Sequence, residues 1–277
     1  MDNSWLQLNL VEDEEIPLFR TALLIAQDEY PRLAAAEYEA RIDGYFRQLR
    51  TELSPALLPA AQLQHLNRFL FEEVGFAGNE SDYYDPRNSY LNDVLDRRLG
   101  NPISLAVVQL ELAQRLDIPL QGVSFPGHFL VRLPVDDGLI VLDPYQKGRS
   151  LDEIELRSRA RGYFDAAREI DDHHLARMLE PASHRAILTR MLRNLKAVYT
   201  EREDLARAVR CSDRLLSVDP QQHEEYRDRG LLYLRLEHIG AAREDLRRYL
   251  KLEPTAADAD TIRLQLADIS SAPARLN

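Results

Sequence analysis

Two consecutive blocks of this chain have the same length and the same ending. Ile187–Pro220 reads "ILTRMLRNLKAVYTEREDLARAVRCSDRLLSVDP", and Gln221–Pro254 reads "QQHEEYRDRGLLYLRLEHIGAAREDLRRYLKLEP". Each has 34 residues and closes on an acid followed by proline. In register, Tyr199 falls on Tyr233, Ala208 on Ala242 and Leu216 on Leu250. A unit of this period is a helix pair that cannot bury its apolar face alone, so neighbouring units must stack. The last third of the chain is therefore expected to be an all-α array, with "ADADTIRLQLADI" as a solvating cap helix. Cys211, the single cysteine, falls in the second helix of the first block and reads as packing; one thiol excludes both an intrachain disulfide and a cysteine-based zinc site.

The helix–turn–helix period is that of tetratricopeptide repeats. The segment before it reads differently. Residues 1–75 carry helical stripes, among them Leu18, Ala22 and Ile25, then Ile42, Tyr45 and Leu49, then Leu63, Leu66 and Leu70. A turn-rich loop, "AGNESDYYDPRNSY", leads to a short helix, with Ser89 expected as its cap and Gly100 as its left-handed C-terminal residue. "NPISLAVVQLELAQRL" then reads as a helix with Asn101 at the N-cap and Pro102 in the first helical position. It is apolar on most sides, which predicts burial on most sides.

Strand patterns follow. "LQGVSF", "HFLVRLPV" and "LIVLDPY" read as antiparallel strands, the last two joined by a turn at Asp136-Asp137-Gly138. "SLDEIELRSRARGYF" returns to helix, with Ser150 expected as cap. The fold class expected is α+β for residues 1–180, followed by an all-α segment over 181–277.

The formal net charge of −11 over 277 residues disfavours a nucleic-acid partner. No apolar run approaches a membrane span, and the N-terminus lacks a secretory pattern, so a cytoplasmic location without membrane attachment is expected.

His128 and Asp143 are the first candidates for chemistry. A two-residue loop would pair Val135 with Gly138 and bring His128 diagonally to Asp143 on one sheet face, about 7 Å apart along the ladder. A carboxylate there could fix the tautomer of the imidazole; a longer loop would separate the two. Taken alone, the pair reads more readily as a structural hydrogen bond than as a catalytic one. Adjacent His173 and His174 lack ligand spacing, no phosphate loop is present, and neither a metal nor a cofactor is expected.

A buried helix followed by strands carrying His and then Asp resembles the papain/transglutaminase-like superfamily. More closely, "NSYLNDVLDRRLGNPISLAVVQLELAQRL", "GVSFPGHFLVRL" and "LDPYQKGRSL", followed by repeat helices, are similar to the bacterial SirB-type family. That resemblance implies a transglutaminase-like core joined to tetratricopeptide-like repeats and a regulator-like role. It carries His128 onto the superfamily's His and Asp143 onto its acid, while the nucleophilic Cys position falls on Pro102. Ser104 is the nearest substitute, but stands about 200° further round the helix. Asn88, Tyr90, Asn92, Pro102 and Arg132 are expected to line a cleft or ligand site beside His128, with Arg132 on the His128 face. The expectation is a nucleophile-lacking, protein- or peptide-binding module. The rival is a cysteine-independent acyl-transfer or amide-hydrolysing enzyme built on His128 and Asp143.

Overall fold

A computed structural model describes residues 5, 8–54, 56–164 and 170–271. The chain divides into two compact units, Glu12–Met191 and a second made of Met1–Val11 with Leu192–Asn277.

The first unit is built around one helix. Helices α1 (Leu18–Glu29), α2 (Ala35–Glu52) and α3 (Pro59–Asn67) precede it. At Arg68–Glu73 the α3 chain widens into a π-helical turn that the apolar spacing did not signal. A two-residue parallel bridge joins β1 (Ala77–Gly78) to β2 (Leu99–Gly100), with α4 (Leu91–Arg97) between them. Central helix α5 (Pro102–Arg115) packs against α1, α2 and α3 and against two strands of the main sheet. Ten of its residues are buried, from Pro102 to Ala113, as its all-round apolar pattern requires.

The main sheet is an antiparallel meander in the order β3 (Gln121–Val123), β4 (Leu130–Val135), β5 (Gly138–Asp143) and β6 (Arg149–Leu151). Val135 pairs with Gly138, the register that a two-residue Asp136-Asp137 loop dictates. Val123, Leu130 and Val141 join one apolar cluster with Leu156, Ala160 and Leu175, from α6 (Glu153–Arg161) and α7 (Asp172–Met178). Val131 and Leu133 alternate with these and are buried too, so both faces of β4 are covered.

Three local expectations need correction. The left-handed residue after α4 is Arg98, and Gly100 lies in β2. Ser89 does not cap α4; its hydroxyl accepts from Asn101 Nδ2 at 2.9 Å. Asp152 caps α6, because Ser150 is taken up by β6.

The second unit stacks helix pairs. The second half of α8 (His184–Glu201) precedes α9 (Leu205–Val218), α10 (His223–Arg235), α11 (Ile239–Leu252) and α12 (Ala259–Ser271). Glu203 and Glu237, one repeat period apart, both turn the chain with left-handed φ values of 58° and 59°. Ala208 and Ala242, the matching small residues, are fully buried. At Gly230 a Cβ would lie 2.8 Å from Leu246, so the glycine lets α10 approach α11 closely. The guanidinium of Arg229 donates to Asp245 at 2.7 Å and to Asp213 at 2.8 Å, tying three helices together. Among the described residues no helix is long and apolar enough to cross a membrane.

Candidate functional site

The N-terminus of α5 is held by its own side chains. Asn101 Oδ1 accepts from Ser104 N at 3.0 Å, and Ser104 Oγ accepts from Asn101 N at 3.0 Å, a reciprocal capping box. Ser104 Oγ also donates to the carbonyl of Asn88 at 2.6 Å and is wholly buried. Its hydroxyl is thus committed to backbone inside the protein. Pro102 is buried in the first helical position, where it contributes neither an N–H nor a nucleophile.

Asn88 is buried as well, and its amide closes the preceding loop. It donates to Asp82 O at 2.7 Å and to Tyr83 O at 3.2 Å, and accepts from Asn79 Nδ2 at 2.9 Å. Tyr90 packs edge-on against Tyr30 at 5.7 Å between ring centres. Asn92 is buried, and among the described residues its Oδ1 has no hydrogen-bond partner. These residues brace α4 and α5 and make no hydrogen bond with His128.

Asp143 ends β5 and turns the chain. Its Oδ1 accepts from Tyr145 N at 2.9 Å and Gln146 N at 3.3 Å, and its Oδ2 accepts from Arg159 Nη1 at 2.7 Å. The imidazole of His128 makes no hydrogen bond with it. His128 lies before β4 rather than on it, because the Pro126-Gly127 turn, with Gly127 at φ +67°, delays the strand to Leu130. Asp143 is still near enough to act on His128 electrostatically, as are Arg159 and Arg190. Burial, followed by the Arg159 charge, pushes the His128 pKa below its ordinary value, against the opposing pull of Asp143. Arg132 is engaged elsewhere: it donates to Gln121 Oε1 at 2.8 Å and to Leu179 O at 2.7 Å.

The residues therefore form two groups. One is a capping network of Asn88, Asn101 and Ser104; the other gathers His128, Asp143 and Arg159. No group of three potential metal-ligating side chains occurs among the described residues. A cavity of about 560 Å³ near the other end of α5, lined in part by Leu110, Gln114, Ile118 and Ile187, includes none of the predicted site residues.

A model of the transglutaminase-like superfamily matches residues 36–193. The chain belongs to this superfamily. A tetratricopeptide-repeat model matches residues 195–267, so a transglutaminase-like domain precedes an array of a type that generally mediates protein–protein interaction. Among relatives, a UPF0162 protein of Xylella fastidiosa is 53% identical, over 96% of this chain and 95% of its own. A UPF0162 protein of Pseudomonas aeruginosa is 36% identical, over 92% of each chain. Protein SirB1 of Salmonella typhimurium is 30% identical, over 79% of this chain and 80% of its own. No solved structure matches the chain.

Within the transglutaminase-like domain, the sequence reading missed Arg159 and Arg190. The available signal for Arg159 was an acid at a buried strand end, which requires a cation or several N–H donors. Arg190 lies 62 positions beyond His128 and gave no local signal.

Proposed function

We propose that the chain is a protein-binding module whose transglutaminase-like domain does not carry out acyl transfer. The fate of the two possible nucleophile positions carries this reading. Pro102 has no nucleophilic atom, and Ser104 Oγ is fully buried and donates to the Asn88 carbonyl at 2.6 Å. The orienting acid is likewise spent on Arg159.

Binding is assigned to the repeat array. A groove of about 600 Å³ there is lined by Arg193, Lys196, Gln222, Glu225, Asp228 and Glu253, among others. Lys196 bridges Glu225 at 2.7 Å and Asp228 at 3.1 Å, which holds the groove wall in a fixed geometry. A mixed polar wall of this kind suits a peptide with charges of both signs. The test is a photo-crosslinker at Arg193 of the full chain in bacterial cells. A defined protein adduct that disappears with Asp228→Lys supports the reading; no protein adduct at Arg193 contradicts it.

A second reading rests on His128. An imidazole with no hydrogen bond among the described residues and a lowered pKa is a base available to a water molecule. It corresponds to amide hydrolysis without a covalent step. Hydrolysis abolished by His128→Ala would favour it, and hydrolysis surviving that change would remove it.

A further inference from the structure

Arg190 is out of keeping with its surroundings. The chain has 46 acidic residues against 35 lysines and arginines, yet no carboxylate among the described residues pairs with Arg190. Its Nη1 donates to Ser124 Oγ at 2.8 Å and to Phe125 O at 3.0 Å, both neutral. The same Phe125 carbonyl accepts from His128 N at 3.1 Å, so one backbone oxygen anchors both residues. Tyr163 lies against this turn: a Cβ on Gly127 would fall 1.8 Å from its ring. Tyr83, in edge contact with Tyr145 at 5.8 Å, completes the group, and the phenols of Tyr83 and Tyr163 are the groups that act on the Arg190 charge.

We propose that Arg190, His128, Tyr83 and Tyr163 form a carboxylate-binding site that takes the acidic group of a peptide. The charge balance supports it. Arg149, Arg159 and Arg190 bring three positive charges and Asp143 and Glu155 two negative, with Asp143 bonded to Arg159 and Glu155 to both Arg159 and Arg149. One positive charge is left over, which matches a monoanion; a phosphate dianion would exceed it and meet Asp143 as well. Nε and Nη2 of Arg190 make no hydrogen bond with described residues, leaving one edge of the guanidinium fork open for a carboxylate. Burial works against the Arg190 charge, and a bound anion offsets that cost. Tyr83 and Tyr163 are 45% and 57% exposed, giving the site an aromatic mouth of the kind enriched in peptide interfaces.

The test is an NMR titration of the full chain, labelled at histidine, with four probes. These are N-acetyl-alanyl-leucine with a free C-terminus, the same dipeptide as its amide, N-acetyl-leucyl-glutamate as its amide, and inorganic phosphate. The two carboxylate probes are expected to shift the His128 ring saturably and the neutral amide to leave it in place. Tighter binding of the first or the third tells whether a chain terminus or an acidic side chain is the preferred source. Arg190→Gln is expected to weaken binding about tenfold or more, as loss of a charged hydrogen bond does, and Arg190→Lys by less. Equal shifts from the neutral amide, saturation by phosphate alone, or unchanged binding to a folded Arg190→Gln would each overturn the proposal. The charged-versus-neutral comparison needs no variant and decides the matter even if Arg190→Gln does not fold. Asp228→Lys in the repeat groove is expected to leave this titration unchanged, so the failure of either site is separable from that of the other.

Discussion

Asp143 Oδ2 accepts a 2.7 Å bond from Arg159 Nη1, and the two side chains are only 4% and 12% exposed. The acid that the superfamily pattern assigns to orienting His128 is therefore held by an arginine from α6. Arg159 in turn donates to Glu155 Oε1 at 2.9 Å, so the pair belongs to a network that ties the sheet to the helix covering it. Removing one partner of such a pair leaves an uncompensated buried charge. Arg159→Met is expected to lower the unfolding free energy by about 3–5 kcal/mol, measured by urea denaturation. Arg159→Lys is expected to cost less.

The second prediction concerns His128. Its folded-state pKa is lowered, by burial first and then by Arg159, with Arg190 acting in the same direction and Asp143 against it. As pH falls below the ordinary histidine value of about 6.5, the unfolded chain takes up the proton first. His128 therefore costs the protein stability on the acid side and nothing well above that pH. Histidine-detected NMR is expected to find the His128 midpoint below the ordinary value. Asp143→Asn is expected to move it lower still.

Ser104 is expected to behave as a cap. Ser104→Ala removes the hydroxyl that bonds Asn88 O and Asn101 N, leaving buried backbone groups without that partner. A loss of about 1–3 kcal/mol in stability is expected, with peptide capture by the repeat groove unchanged. Loss of capture by a variant that remains folded would count against a purely structural role.

Gly230→Ala tests the repeat packing. The added Cβ would stand 2.8 Å from Leu246 Cδ2 and 3.3 Å from Asp245 Cβ. Overpacking of this kind costs about 1–3 kcal/mol, more than the alanine gains from its helix propensity. Gly240→Ala, where nothing lies within 4 Å, serves as the control and is expected to leave thermal stability unchanged or raise it.

Much of this was legible in the sequence, because it depends on neighbours in the chain. The Asn101 cap, Pro102 in the first turn and the girth of α5 follow from local spacing. The Val135–Gly138 register follows from the Asp136-Asp137 turn, and the stacked helix pairs follow from the 34-residue period. What escaped depends on contacts distant in the chain or on competition between local choices. The alternation of "HFLVRL" predicts His128 on a strand, but the Gly127 turn holds it outside. The same alternation predicts Arg132 beside it, yet cross-strand pairing with Gln121 draws that guanidinium away. Ser150 lost its capping role to Asp152 because β6 claimed it. The partner of Asp143 comes from a helix 16 residues further on, where no strand pattern points.

On the proposed reading the chain binds a protein partner through its repeats, and its transglutaminase-like domain catalyses neither acyl transfer nor amide hydrolysis. The direct measurement is mass-spectrometric product formation from a library of glutamine- and asparagine-containing peptides, with and without a primary amine, comparing the unmodified chain with His128→Ala. Neither is expected to form product above the protein-free control. Product formed by the unmodified chain and lost in folded His128→Ala would contradict it.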